Sequence, residues 1–248
     1  MSNIIRRTLL AATLIAGSSA VASAAGAQDV SVSTGVDLVS DYVFRGVSLA
    51  DTAVQPYVEL GVGNFTVGAW ASTGLGDTSI LAGDELDLYA GYSVPLDGAL
   101  SLDLGVTYYH YPQGGDLFST NDGTSGTYEV SAALGFGEVP LSPSIAAYYD
   151  LTLEAFTLEG AVGHSVGIGE KQGLDLGLTV GHVDGDGFSY EWGQASAALS
   201  HGFTDDVSVY AGVNYTLNSE DALNYSRILN GEPKGDLFWA GMGISAGF

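Results

Sequence analysis

From Asp236 to Phe248 the chain reads Asp-Leu-Phe-Trp-Ala-Gly-Met-Gly-Ile-Ser-Ala-Gly-Phe, and side-chain character alternates at nearly every step. A period of two marks an extended strand, whose successive side chains point to opposite faces. Phe238, Ala240, Met242, Ile244, Ala246 and Phe248 share one face, while Trp239, Gly241, Gly243, Ser245 and Gly247 share the other. A helix would scatter these residues around its circumference. The chain is therefore committed to strands wherever the pattern recurs.

It recurs throughout. A first strand over about Val30 to Val47 sets Val30, Val32, Val36, Leu38, Tyr42 and Phe44 against Asp37, Asp41 and Arg45. Further strands follow at Ala53 to Val62, Phe65 to Thr73, Glu85 to Val94, Ala99 to Tyr111, Thr127 to Phe136, Ser142 to Asp150, Phe156 to Val166, Leu174 to Val183, about Glu191 to His201, Val207 to Leu217 and Leu237 to Phe248. The tenth is the least distinct, because its Ala-Ser-Ala-Ala segment barely separates two faces. The links at Gly63-Asn64, Pro95–Gly98, Gly137–Leu141, Gly167–Gly173 and Phe203–Asp206 are mostly tight. Those at Gly74–Asp84, Pro112–Gly126, Asp184–Ser189 and Asn218–Gly235 read as long and polar. Short turns at one end, longer loops at the other and an even strand count describe an all-β transmembrane, antiparallel up-and-down barrel of about 12 strands, spanning residues 28–248.

The acidic residues separate this from a soluble sandwich. If the apolar parity of each strand faces lipid, then Asp37, Asp41, Glu59, Glu85, Asp87, Asp103, Glu129, Asp150, Glu159 and Asp175 face inward, with Trp70 and Tyr89 beside them. A sandwich would have to bury those carboxylates, at a cost of several kcal/mol for each one left ionised without a partner, whereas a hydrated lumen keeps them solvated. Arg45 is the one inward base, with a structural role beside neighbouring acids favoured over a selectivity role. Tyr42, Phe44, Phe65, Tyr92, Tyr108, Tyr128, Phe136, Tyr149, Phe156, Tyr215, Phe238 and Phe248 fall on the outward parity, mostly near strand ends where interfacial aromatic girdles sit.

The first residues give an export signal. Arg6 and Arg7 precede an apolar run from Leu9 to Ala16 and small residues as far as Ala27, so residues 1–27 read as a cleaved signal peptide with a mature start at Gln28. The run is far short of the roughly 20 residues a spanning helix needs. Charge excludes one class of partner: 29 acidic residues against six basic ones leave no basic surface for nucleic acid. There is no cysteine, hence neither disulfide nor thiolate metal site, and the four histidines are too dispersed for a metal centre. No cofactor is expected. His110, His164 and His182 have outward parity, yet none has an evident outward serine, so a lipase-like site is not assembled either.

Ser40-Asp-Tyr-Val-Phe-Arg-Gly-Val-Ser48, Ala53-Val-Gln55, Gly68-Ala-Trp-Ala-Ser72, Glu85-Leu-Asp-Leu-Tyr-Ala-Gly-Tyr92 and Tyr109-His-Tyr-Pro112 resemble the TorF family of porin-like proteobacterial proteins. The likeness covers about Asp29 to Pro112, with Leu49 standing where the family pattern expects a polar residue, often glutamine. It implies a bacterial outer-membrane barrel with a transport role and names no substrate. By the same resemblance, Phe248 is the signal read by the barrel assembly machinery. Inward acids imply passive diffusion of small hydrophilic solutes with cations favoured. The alternative is a non-conducting structural or adhesion barrel whose acidic loops, with Asp77, Asp84, Asp116, Asp122, Asp184, Asp186, Glu220 and Asp221, meet lipid and lipopolysaccharide.

Overall fold

A computed structural model describes residues 30–75, 84–96, 100–220 and 235–248. The leader, Asp77, Asp221 and most of the 74–84 and 218–235 links lie outside the described residues. Twelve antiparallel strands close into a barrel, and a separate two-stranded hairpin interrupts the sequence after the first of them. The wall runs β1 (Val30–Val39), β4 (Ala53–Val62), β5 (Phe65–Gly74), β6 (Asp84–Val94), β7 (Leu100–His110), β8 (Gly126–Phe136), β9 (Ser144–Asp150), β10 (Ala155–Gly167), β11 (Gln172–Gly185), β12 (Phe188–Gly202), β13 (Val207–Asn218) and β14 (Asp236–Gly247). The hairpin is β2 (Tyr42–Phe44) with β3 (Val47–Ala50). β1 and β14 complete the ring, in register from Ser33 opposite Gly247 to Val39 opposite Gly241.

Closure leaves no free edge strand: every wall strand is hydrogen-bonded to a neighbour on both sides, which is how a sheet meets the demands of hydrocarbon. The alternation sorts cleanly. Val32, Val36, Val58, Leu60, Val67, Leu104, Val106, Leu158, Leu178, Val180, Met242 and Ile244 are exposed on the outside, while their neighbours of opposite parity are sheltered. The core is thus split: apolar surface goes outward and polar surface inward, the reverse of a soluble protein.

Several inward rings lie flat on the wall because a glycine stands directly across from them. Gly68 faces Tyr89 and Gly181 faces Trp192. A methyl group at either glycine would overlap the ring of its partner. The missing side chain lets the aromatic rest along the sheet instead of projecting into the lumen.

Three readings of the sequence are corrected. The first strand ends at Val39, and Tyr42 and Phe44 belong to the hairpin inside the barrel, not to an outer girdle. Asp184–Ser189 is no long loop: β11 and β12 pair as far as Gly185 opposite Phe188, leaving the turn Asp186-Gly187 with Gly187 at φ +80°. The tenth strand, by contrast, is present where expected, and its 15 residues in β12 make it the longest of the described strands. Tyr108 and His110 have outward parity but are only 4% and 6% exposed, because the segment after β7 folds down over them. Within it, Phe118 packs against Tyr108 at 5.3 Å between centroids, and the Ser119 carbonyl accepts from the Tyr108 hydroxyl at 3.0 Å.

Candidate functional site: the lumen and its hairpin

The inward face of the barrel differs between its two ends. Toward the chain termini many inward positions are small, among them Ser93, Ser101, Ala133, Gly163, Ser196 and Ser245, with the larger Tyr57, Tyr89 and Tyr210 set opposite Gly35, Gly68 and Gly243. At the opposite, loop-bearing end the β2–β3 hairpin turns into the barrel and occupies it.

Local sequence explains the turn. Arg45 and Gly46 are the two central residues between the paired Phe44 and Val47, both in the left-handed region at φ +45° and +80°. Positive φ at both positions defines the two-residue turn whose twist matches that of a hairpin. Gly46 adopts it at no steric cost; Arg45 does not, and its contacts must supply the difference.

Those contacts reach around the wall. The Arg45 guanidinium donates to both oxygens of Glu129 on β8, Nη1 to Oε2 at 2.6 Å and Nη2 to Oε1 at 2.9 Å. Its Cζ sits 4.7 Å from the Phe44 ring centroid and 4.3 Å from that of Tyr148 on β9. A planar cation between aromatic faces with a bidentate carboxylate is a geometry lysine cannot reproduce. Tyr109 on β7 donates to the same Glu129 at 2.9 Å. Asn218 on β13 donates to the Gly46 carbonyl at 3.0 Å, and Tyr42 donates to Glu85 on β6 at 2.9 Å. Val47 packs with Val183, Tyr190 and Trp192; Tyr42 and Ala50 pack with Val39, Ala53, Leu237 and Trp239; Leu49 touches both groups. Leu49 therefore joins the two halves of this contact.

The predicted lumen residues divide accordingly. Glu85, Asp87 and Glu129 are buried at the hairpin, with Trp70 and half-buried Glu159 on the same inward parity and Arg45 reaching them from its tip. Asp41 lies just before β2, outside any strand, and accepts from the Ser40 hydroxyl. Asp150 is buried at the end of β9, where its Oδ1 accepts from the backbone N–H groups of Thr152 and Leu153 at 2.8 Å each and so shapes the turn into β10. Asp37, Glu59, Tyr89, Asp103 and Asp175 lie toward the terminal half, Asp37 and Asp175 buried there: Tyr89 donates to Glu59 at 3.2 Å, Ser93 to Asp103 at 2.6 Å and Ser200 to Asp175 at 3.1 Å. Sequence reasoning missed a polar chain at the hairpin end, in which Trp239 donates to Thr216 at 3.0 Å and Thr216 to Gln194 at 3.1 Å. Its signal was a run of inward Gln, Asn and Thr on β12 and β13, neutral and so less conspicuous than the acids.

The outward histidines have ordinary partners. His110 Nδ1 lies 3.0 Å from the Ser125 carbonyl and His182 Nδ1 lies 3.2 Å from Glu191. At the end of the chain, Phe248 and Val32 exchange both backbone hydrogen bonds, at 2.8 and 3.0 Å, so the terminal residue is part of the seam.

A family model described as "Bacterial protein of unknown function (Gcw_chp)" matches residues 23–222. No curated protein matches the sequence. Among solved structures the barrel is similar to the NanC porin, at 13% identity and a TM-score of 0.56, covering 87% of this chain and 98% of that one. It is also similar to the KdgM porin, at 11% identity and a TM-score of 0.54, covering 88% and 99%. At these identities the likeness is one of fold.

Proposed function

Since the chain belongs to the Gcw_chp family of bacterial proteins of unknown function, we propose its role from the lumen: an outer-membrane, porin-like channel for small hydrophilic solutes that favours cations over anions. The observation that carries this reading is the balance of charge. Among the described residues the inward parity bears carboxylates on most strands, and the one Lys or Arg that reaches the interior, Arg45, is bound to Glu129. Low-dielectric walls focus the field of such carboxylates, concentrating cations and excluding anions. Residues 1–27 act as the export signal in this reading, and Phe248 as the mark recognised during barrel assembly. Small lining residues at the terminal end admit solute, and the β2–β3 hairpin at the other end sets the bore.

Planar-bilayer recording of purified, refolded protein tests this. Discrete conductance steps with a reversal potential of cation sign in a salt gradient are expected; anion preference would defeat it. The hairpin itself supports a second reading, a closed structural barrel acting through its acidic loops. Under that reading the protein gives no conductance, and deleting residues 40–50 opens it.

A further inference from the structure

Glu85 and Asp87 stand two residues apart on β6, both inward and both withdrawn from solvent, Asp87 completely. Trp70 on β5 and Tyr109 on β7 flank Asp87 in the wall, and the hairpin closes over the lumen side, where Tyr42 donates to Glu85 and its ring lies 5.4 Å from that of Trp70. Glu85 thus has a donor. Asp87 meets no donor outside the pair: both of its carboxylate oxygens are buried, and among the described residues only the Glu85 carboxyl lies within hydrogen-bonding reach. A carboxylate in that condition is among the costliest groups to bury, and it persists only if something neutralises it.

The neighbouring base cannot do so, because both terminal nitrogens of Arg45 are committed to Glu129. One negative charge there meets one positive charge. The two at Glu85 and Asp87 meet none among the described residues. We propose that Glu85 and Asp87 hold one hard divalent cation, Ca2+ or Mg2+, at the seam between the wall and the hairpin. Two carboxylates match its charge, and such cations prefer oxygen donors, Mg2+ being commonly held by one or two carboxylates with water. The described residues contain no cluster of three or more His, Asp or Glu suited to a metal, so the site is a two-carboxylate one and unsuited to zinc. Through Tyr42, whose hydroxyl already meets Glu85, the ion ties β6 to the hairpin. The inference goes beyond the channel reading and does not depend on what passes through the barrel.

Thermal unfolding of the refolded full chain in detergent, in EDTA, CaCl2 or MgCl2 at matched ionic strength, tests it without any variant. A saturating divalent ion should raise Tm by about 5 °C. Acidic outer segments also attract such ions, so Asp87→Asn is the discriminating variant: it should lose most of the shift while keeping any part owed to the loops. Tb3+ luminescence excited through aromatic side chains gives a second reading that does not require the Asp87 variant to fold. Emission should be displaced by Ca2+ and fall several-fold in Trp70→Phe. An unchanged shift in Asp87→Asn, or emission that is absent or undiminished in Trp70→Phe, would overturn the proposal and leave the two carboxyls sharing a proton.

Discussion

Arg45 and Glu129 are 84 residues apart in sequence and joined by two charge-assisted hydrogen bonds across the interior, from the tip of a hairpin to the middle of the opposite wall. Removing one partner of a buried pair costs more than removing both, because the survivor is left charged and unpaired. Glu129→Gln should therefore weaken hairpin docking by about 3 kcal/mol, while Arg45→Met combined with Glu129→Leu should cost less. A channel whose bore is set by the hairpin should then show larger and noisier conductance in Glu129→Gln than in the double variant. Equal conductance in wild type and both variants would remove the hairpin from the permeation path.

Parity was legible along most of the wall and the hairpin was not, for one physical reason. Lipid imposes a strict inside-outside choice on every wall strand, so Leu174 to Val183 and Val207 to Leu217 declare their faces residue by residue. Tyr42 and Phe44 continue the parity of Val36 and Leu38 across Ser40-Asp41, and alternation alone cannot tell hydrocarbon from the apolar clusters formed with Trp239 and Trp192. Arg45-Gly46 was the available signal, since Gly can supply positive φ at the second position of a two-residue turn, but arginine at the first disguises it. The Asp184–Ser189 link misled differently: its Asp-Gly composition suits a long solvated loop and a tight turn equally, and only register decides.

The packing of Tyr89 over Gly68 makes bore and sheet interdependent. Gly68→Ala places a methyl group into the phenol ring, so the ring must swing off the wall toward the axis. Overpacking of this kind costs about 1–3 kcal/mol. Conductance should fall in Gly68→Ala and recover in Gly68→Ala/Tyr89→Ala, with Tm measured in parallel. A Gly68→Ala protein with unchanged conductance would show that the terminal half of the lumen does not limit flow.

Leu104 and Ala133 separate the two sides of the wall. Leu104 is exposed on the outer face of β7, and Ala133 on β8 faces inward directly opposite Asp103. Lysine at a lipid-facing midplane position costs about 2–4 kcal/mol, whereas lysine in a wet interior costs little. Leu104→Lys should thus reduce folded yield or Tm, while Ala133→Lys should fold normally and shift reversal potential away from cations by neutralising Asp103. If Leu104→Lys were tolerated and Ala133→Lys destabilising, the assignment of faces would be inverted.

Phe248 closes the ring through Val32, and the two bonds they exchange are the last on that side of the β1–β14 seam. Deleting Phe248 removes both, at about 1 kcal/mol each, and also removes an aromatic anchor at the outer surface. Phe248→Ala keeps the backbone bonds and loses only the ring. Comparison of the two in vitro isolates the seam: the deletion should lower Tm more than the alanine variant does. In cells the order should change if the aromatic is read during assembly, both variants then reaching the membrane at similarly reduced levels despite their different stabilities. Folded barrel is scored by its heat-modifiable migration on gels. Normal membrane levels of Phe248→Ala would confine the residue to closing the sheet.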